Sequence, residues 1–275
     1  MTLLVAYMPT LLPLVAVTSH HRDREQFCRA MHTIIVQSHR PEVLRGWVGR
    51  CVRSVRAYAR ESGCGYLWLG DELFAKVPDW YRDKAGFALP VMADLARLRV
   101  IREILDCGEA DVACWFDADV LLFAPERVSL EISSSCAFGY ELWTERQGQG
   151  VRVRRSYHNA VCVFRAGCPV LPFLIHATES IIQRIDAQRI APQLVGPKLL
   201  SALGNIVGFE RLETIGALSP DVIRDLAAGG GLALARLRSE TPGLAGANLC
   251  HSLAPRLGDG EPDRAIDRLL SVGLE

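Results

Sequence analysis

A chain of 275 residues with 49% apolar and 23% charged side chains can bury a sizeable core, which excludes a disordered or fibrous protein. Its formal net charge is zero, so nothing points to nucleic acid as a partner. Nine cysteines without a Cys-x-x-Cys pair or zinc spacing fit a reducing, cytoplasmic compartment.

Residues 1–31 read as an N-terminal extension. They are apolar at Leu3, Leu4, Val5, Leu11, Leu12, Leu14, Val15 and Val17, but no basic residue precedes the run, and Pro9 and Pro13 interrupt it. The stretch is too broken for a membrane span and lacks a signal peptide's charged start. A loosely attached tail and a translation start near Met31 both fit. Without repeats or a low-complexity linker, residues 32–275 are expected to form a single α/β domain.

His32 to Gln37 is a β-branched run and the expected first strand. Pro41 suits a first helical turn, and Leu44, Trp47, Val48, Cys51, Val52, Val55 and Tyr58 recur at helical spacing, with arginines mostly on the other side. Tyr66 to Leu69 forms a second strand ending at Gly70-Asp71. Strand, helix, strand, acid opens nucleotide-binding sheets, so Asp71 is a candidate for a ribose or base contact and equally for a helix cap. Val77 to Ala88 reads as a polar connection. A helix then follows Pro90 through Val91, Leu95, Leu98, Ile101 and Leu105, with Asp94 and Arg97 one turn apart beside that stripe.

The central stretch is Asp111 to Pro125. Val112 to Phe116 is an unbroken apolar run, as in a strand covered on both faces. It stops at Asp117-Ala118-Asp119, and a second apolar run leaves toward Pro125. Open α/β sheets bind ligands where their strands end. Two carboxylates there disfavour joint ionisation unless a cation is bound, and oxygen donors select Mg²⁺ or Mn²⁺. Such a metal would hold a diphosphate. A solvated turn is the plain alternative.

Further on, Ser135 to Leu142 reads as a strand carrying Glu141. The Gly- and Arg-rich segment from Arg146 to Arg155 reads as a mobile flap or a surface hairpin, and its arginines suit an acidic acceptor or a lipid phosphate. Asn159 is expected to begin a strand through Phe164. Pro169, Gly196-Pro197 and Ser219-Pro220 each open a helix, Leu232 to Leu237 is an expected edge strand, and Pro262 to Leu270 is a terminal helix.

Taken in order, Ala93-Asp94-x-x-Arg97 on a helix, Phe116-Asp117-Ala118-Asp119 at a strand end, Asn159, Gly196-Pro197 and a late His251 resemble the DXD-containing sugar transferases of GT-A fold. The similarity is to the outer-chain mannosyltransferase-like and capsular-polysaccharide transferases, and more distantly to clostridial glucosylating toxins. It covers roughly residues 32–255, and it departs at Ser38-His39-Arg40-Pro41, where those relatives carry a Trp-containing segment.

The resemblance implies a Rossmann-like mixed sheet flanked by helices and transfer of a sugar from a UDP- or GDP-linked donor to a glycan, lipid or protein acceptor. It implies that Asp119 and Asp117 hold Mn²⁺ or Mg²⁺ with His251 completing the shell. Asp94, Arg97, Asp117 and Asn159 would hold the donor. It also implies retention of the anomeric configuration; an inverting enzyme would need a carboxylate base, for which Glu141 is the candidate. The expected location is cytoplasmic, with room for peripheral contact at the inner membrane face.

Two rival readings stand beside this one. In a haloacid-dehalogenase-like phosphatase, Asp117 and Asp119 would share a metal with Asp259 and Asp263. The other rival is a non-catalytic relative that only binds a nucleotide sugar.

Overall fold

The computed structural model describes residues 31–274, so the expectations for the N-terminal extension lie outside the described residues. Strand β1 (Thr33–Ser38) is followed by α1 (Trp47–Glu61), which buries Val48, Cys51, Val52, Val55, Tyr58 and Ala59. The chain returns in β2 (Gly65–Leu69), parallel to β1. Asp71 opens a short 3₁₀ turn and pairs with Arg40 at 3.5 Å, both exposed. The segment read as a polar connection contains a helix, α2 (Asp79–Ala85). Two turns are too short to show periodicity; burial of Tyr81 and Ala85 holds it in place.

Helix α3 (Leu89–Asp106) leads into β3 (Val112–Phe116) and β4 (Val120–Leu122). Strand β3 is buried at every position because both its faces are covered. Ala113 and Trp115 pack with Leu95, Leu98 and Ile101 of α3, whereas Val112, Cys114 and Phe116 pack with Val55, Tyr58 and Ala59 of α1. That double cover is why the run does not alternate.

Strands β5 (Cys136–Gln147) and β6 (Gly150–Arg165) form one long hairpin, so the Gly- and Arg-rich segment is a hairpin rather than a flap. Gly148 takes the positive φ, 58°, that its two-residue turn requires. Next come α4 (Val170–Arg184), α5 (Pro197–Val207), β7 (Glu210–Leu212), β8 (Ile215–Ala217) and α6 (Pro220–Ala228). The hydroxyl of Ser219 accepts from the Val222 amide, as the Ser-Pro signal foretold.

The expected edge strand at Leu232–Leu237 is instead helix α7 (Leu232–Glu240). Its apolar run is too short to separate the two periods. The Asp225 carboxylate decides it by accepting from the amides of Ala233 and Leu234 at 2.9 and 3.1 Å, capping a helix start that follows three glycines. Strand β9 (Gly246–Asn248), a 3₁₀ turn from His251 and α8 (Glu261–Val272) complete the domain.

The main sheet has six strands in the order β2-β1-β3-β6-β5-β7, and a second sheet has the order β4-β9-β8. The main sheet is mixed: β1 is parallel to β2 and β3, while β6 is antiparallel to β3 and β5. This is the expected α/β class, a Rossmann-like start built into a mixed sheet with helices on both faces. Asp117 to Asp119 stand where the chain passes from the six-stranded sheet to the three-stranded one. Among the described residues no helix is long and apolar enough to cross a membrane.

Candidate active site

The aspartate turn is held by main-chain bonds on both sides. The Asp117 amide donates to the Ala160 carbonyl at 2.7 Å, and the Leu249 amide donates to the Asp119 carbonyl at 2.9 Å. The Asp119 carboxylate accepts through Oδ2 from the His251 amide at 2.7 Å. That amide is aimed by Cys250, whose φ of 51° is the only positive value at a non-glycine among the described residues. An L-residue in this region costs about 1–2 kcal/mol. Exchanging Cys250 for glycine is therefore expected to raise stability by about 0.5–1 kcal/mol, read from urea midpoints. A lower midpoint would show that the thiol's packing outweighs the strain.

Beneath the turn lies an ionic network on α3. Arg97, 7% exposed, sits 3.2 Å from Asp94 Oδ1 and 3.0 Å from Asp117 Oδ1, and donates to the Asn159 carbonyl at 2.6 Å. Its guanidinium also stacks 5.2 Å from the centre of the Trp115 ring, whose Nε1 donates to Asp117 Oδ1 at 2.7 Å. Asp94, 5% exposed, accepts from Asn159 Nδ2 at 2.7 Å. One cation thus bridges two carboxylates, and each carboxylate has a second donor.

Asn159 does not begin its strand. It lies inside β6 at a bulge: Phe138 faces Cys162, yet the next residue, Gly139, faces His158. Asn159, Ala160 and Val161 are thereby released from β5. The Ala160 carbonyl turns to Asp117 and the Asn159 side chain to Asp94, the kind of re-aiming that bulges produce beside sites. Two glycines make room. A Cβ on Gly139 would lie 2.1 Å from the His158 ring, and one on Gly196 would lie 2.5 Å from Asp94 Oδ2 and 2.9 Å from Asn159 Nδ2. Gly196 is therefore the tight wall behind the Asp94–Asn159 pair.

In front of this network opens a cleft of about 500 Å³, lined among others by Asp117, Asn159, Glu141, Trp143, Arg154 and Lys198. Asp94 does not line it; Asn159 stands between. Asp119 and His251 lie beside it. Burial pushes the Asp94 carboxyl up to about 6, against the pull of Arg97 and Asn159. Burial also raises Asp117 and Asp119; Arg97 opposes it at Asp117 and the His251 amide at Asp119. His158, whose Nε2 lies 3.2 Å from the Ile215 carbonyl, is lowered to about 4 by burial and stays neutral.

The structure thus joins Asp94, Arg97, Asp117 and Asn159 in one network and sets Asp119 next to it. His251, expected to complete a metal shell, stands beside Asp119: its main-chain amide donates to that carboxylate, and its ring lies 5.5 Å from the rings of His39 and Trp47. Among the described residues no group of three or more His, Cys, Asp or Glu side chains is arranged to hold a metal. The four acids that a phosphatase would need are not joined by any bond among the described residues. Asp259 is exposed, and Asp263 is 3.3 Å from Arg50, in a pairing of its own.

A divalent cation still suits the two aspartates. Asp117 Oδ2 and Asp119 Oδ1 have no side-chain or amide partner among the described residues, and hard oxygen donors match Mg²⁺ or Mn²⁺. Such cations are commonly held by one or two carboxylates, with the substrate's phosphates and water filling the shell.

Sequence reasoning missed Gln37, fully buried at the end of β1, which donates to the Asp117 carbonyl at 3.2 Å and accepts from Tyr66 at 3.0 Å. A lone amide closing a β-branched run was the signal available. Trp115 and Cys250 were also missed. The indole looked like core, and nothing local marks a cysteine for positive φ.

No family model matches the chain, and no curated protein matches it. Among solved structures, one similar chain is a glycosyltransferase involved in the glycosylation of the major capsid of PBCV-1. It is 11% identical, with 82% of this chain and 98% of that chain covered, at a TM-score of 0.42. Another is A197 from STIV, 9% identical, with 57% of this chain and 69% of that chain covered, at a TM-score of 0.25. At such scores neither likeness weighs in the functional reading, which rests on the side chains.

Proposed function

We propose that the chain is a glycosyltransferase that moves a sugar from a UDP- or GDP-linked donor to a glycan, lipid or protein acceptor, with Mn²⁺ or Mg²⁺ as cofactor. The observation that carries this reading is the Asp94–Arg97–Asp117 network, set with Asp119 at the end of the central strand and opening through Asn159 onto the cleft. Asp117 and Asp119 would hold the cation. When bound, the cation neutralises the diphosphate and favours its departure. Asn159 faces the donor, and Asp94 acts through it, fixing the amide's orientation. Arg97 favours the charged form of Asp117 and holds it in place. A peripheral contact with an anionic membrane surface would follow from a lipid acceptor.

The test is thermal stabilisation by UDP, GDP and their sugar conjugates, with and without Mn²⁺. One nucleotide series is expected to stabilise the protein only with the metal, by about 2.7 kcal/mol at 100 times its Kd. Failure of every UDP- and GDP-sugar to shift the transition with Mn²⁺ present would defeat the reading. Binding without turnover would instead mark a non-catalytic relative.

A further inference from the structure

Away from the cleft, the start of β5 and the turn after β6 bring two cysteines together. Main-chain bonds fix the turn: the Arg165 amide donates to the Ser135 carbonyl at 2.9 Å, and the Cys168 amide donates to the Arg165 carbonyl at 3.1 Å. Gly167 supplies the positive φ, 75°, that lets the chain double back. Cys168 therefore lies beside Cys136, the first residue of β5, and its Sγ is 3.4 Å from the Ser135 hydroxyl. The Cys136 thiol donates to the Cys168 sulfur.

Cys168 stands just before α4, and the helix's first amides, those of Val170 and Leu171, also donate to its sulfur. A thiol, a hydroxyl and two amides thus converge on one atom. Together they bring the Cys168 thiol down to about 5, against the opposing effect of burial, whereas Cys136 is pushed up. One sulfur is charged at neutral pH and its neighbour keeps its proton, the pairing of an attacking thiolate with a resolving thiol. The buried Cys51, Cys114 and Cys162 differ: burial raises each of them, as in inert core thiols. Cys168 is itself buried, but Gly167 and Pro169 on either side are exposed, so a small oxidant has only one layer to cross.

We propose that Cys136 and Cys168 form a redox modification site that closes to a disulfide on exposure to hydrogen peroxide. The Cys168 thiolate attacks one peroxide oxygen and the O–O bond breaks. The sulfur becomes a sulfenic acid, and the departing hydroxide takes a proton from solvent to become water. The Cys136 sulfur then attacks the Cys168 sulfur, its proton joins the leaving hydroxyl group, and a second water departs. The two thiols give up two electrons, which reduce the peroxide to water. The new bond closes a loop that holds the whole β5–β6 hairpin, and so ties one wall of the cleft to the start of α4.

The first measurement is alkylation of the reduced wild-type protein with iodoacetamide at about pH 6, where an ordinary thiol is almost wholly protonated. Peptide mass spectrometry is expected to show Cys168 labelled about 10-fold faster than the exposed Cys107, because its larger thiolate fraction outweighs its lower nucleophilicity. Next, a stoichiometric dose of hydrogen peroxide should yield a linked Cys136–Cys168 peptide that dithiothreitol separates. In Cys136→Ser the oxidation should stop at a sulfenic acid on Cys168, which dimedone captures. Labelling of Cys168 no faster than of Cys107, or peroxide that leaves Cys136 and Cys168 unlinked in the folded wild type, would overturn the proposal. Both deciding measurements use the wild-type protein, so they stand even where the serine variant fails to fold.

Discussion

Replacing Arg97 by methionine is expected to cost about 3–5 kcal/mol of stability, the range for removing one partner from a buried ion pair. The guanidinium is 3.2 Å from Asp94 and 3.0 Å from Asp117, and methionine would leave two carboxylates without their cation. The loss should depend on pH. Burial lifts the folded Asp94 to about 6, whereas its ordinary value is 3.8. Between those values the folded chain binds a proton that the unfolded chain has released, so this group lowers stability as pH rises through the window. Arg97 limits that fall by favouring the anion. Without it the folded pKa climbs further, and the penalty of Arg97→Met should be larger at about pH 8 than at about pH 5. Urea unfolding at the two pH values measures it. A loss under about 1 kcal/mol, equal at both, would mean that the network is not the buried ionic unit described.

Asp119→Ala is expected to abolish metal-dependent transfer, by at least about 10³-fold, since the loss of a cation's charge stabilisation amounts to several kcal/mol. The fold should survive. The substitution removes one bond, from the His251 amide to Asp119 Oδ2, worth about 1–3 kcal/mol when an amide is left unpaired. Turnover with Mn²⁺, alongside circular dichroism, separates the two effects. Full activity in a folded Asp119→Ala protein would remove the aspartate pair from the chemistry.

Local sequence was informative where one element's surroundings dictate its pattern. An apolar run without alternation announced a strand covered on both faces, and β3 is that strand. Its end at Asp-Ala-Asp and the one-turn spacing of Asp94 and Arg97 are properties of neighbouring residues, and both survive intact in the fold. Short segments were less legible. Leu232–Leu237 became a helix because Asp225 caps its amides, a contact that no window of a few residues contains.

By itself, then, the amino-acid order determined an α/β sheet, the strand that centres it and the acids and arginine at its end, because hydrophobic period and helix spacing act over a few residues. Only the tertiary structure decided what those groups touch. Asn159 meets Asp94 across 65 positions, and the His251 amide meets Asp119 across 132. Glu141 gained its place on the cleft wall from hairpin register, and Asn159 was re-aimed by a bulge. Such pairings arise when distant segments close on one another, and their geometry is set by packing that no local pattern encodes.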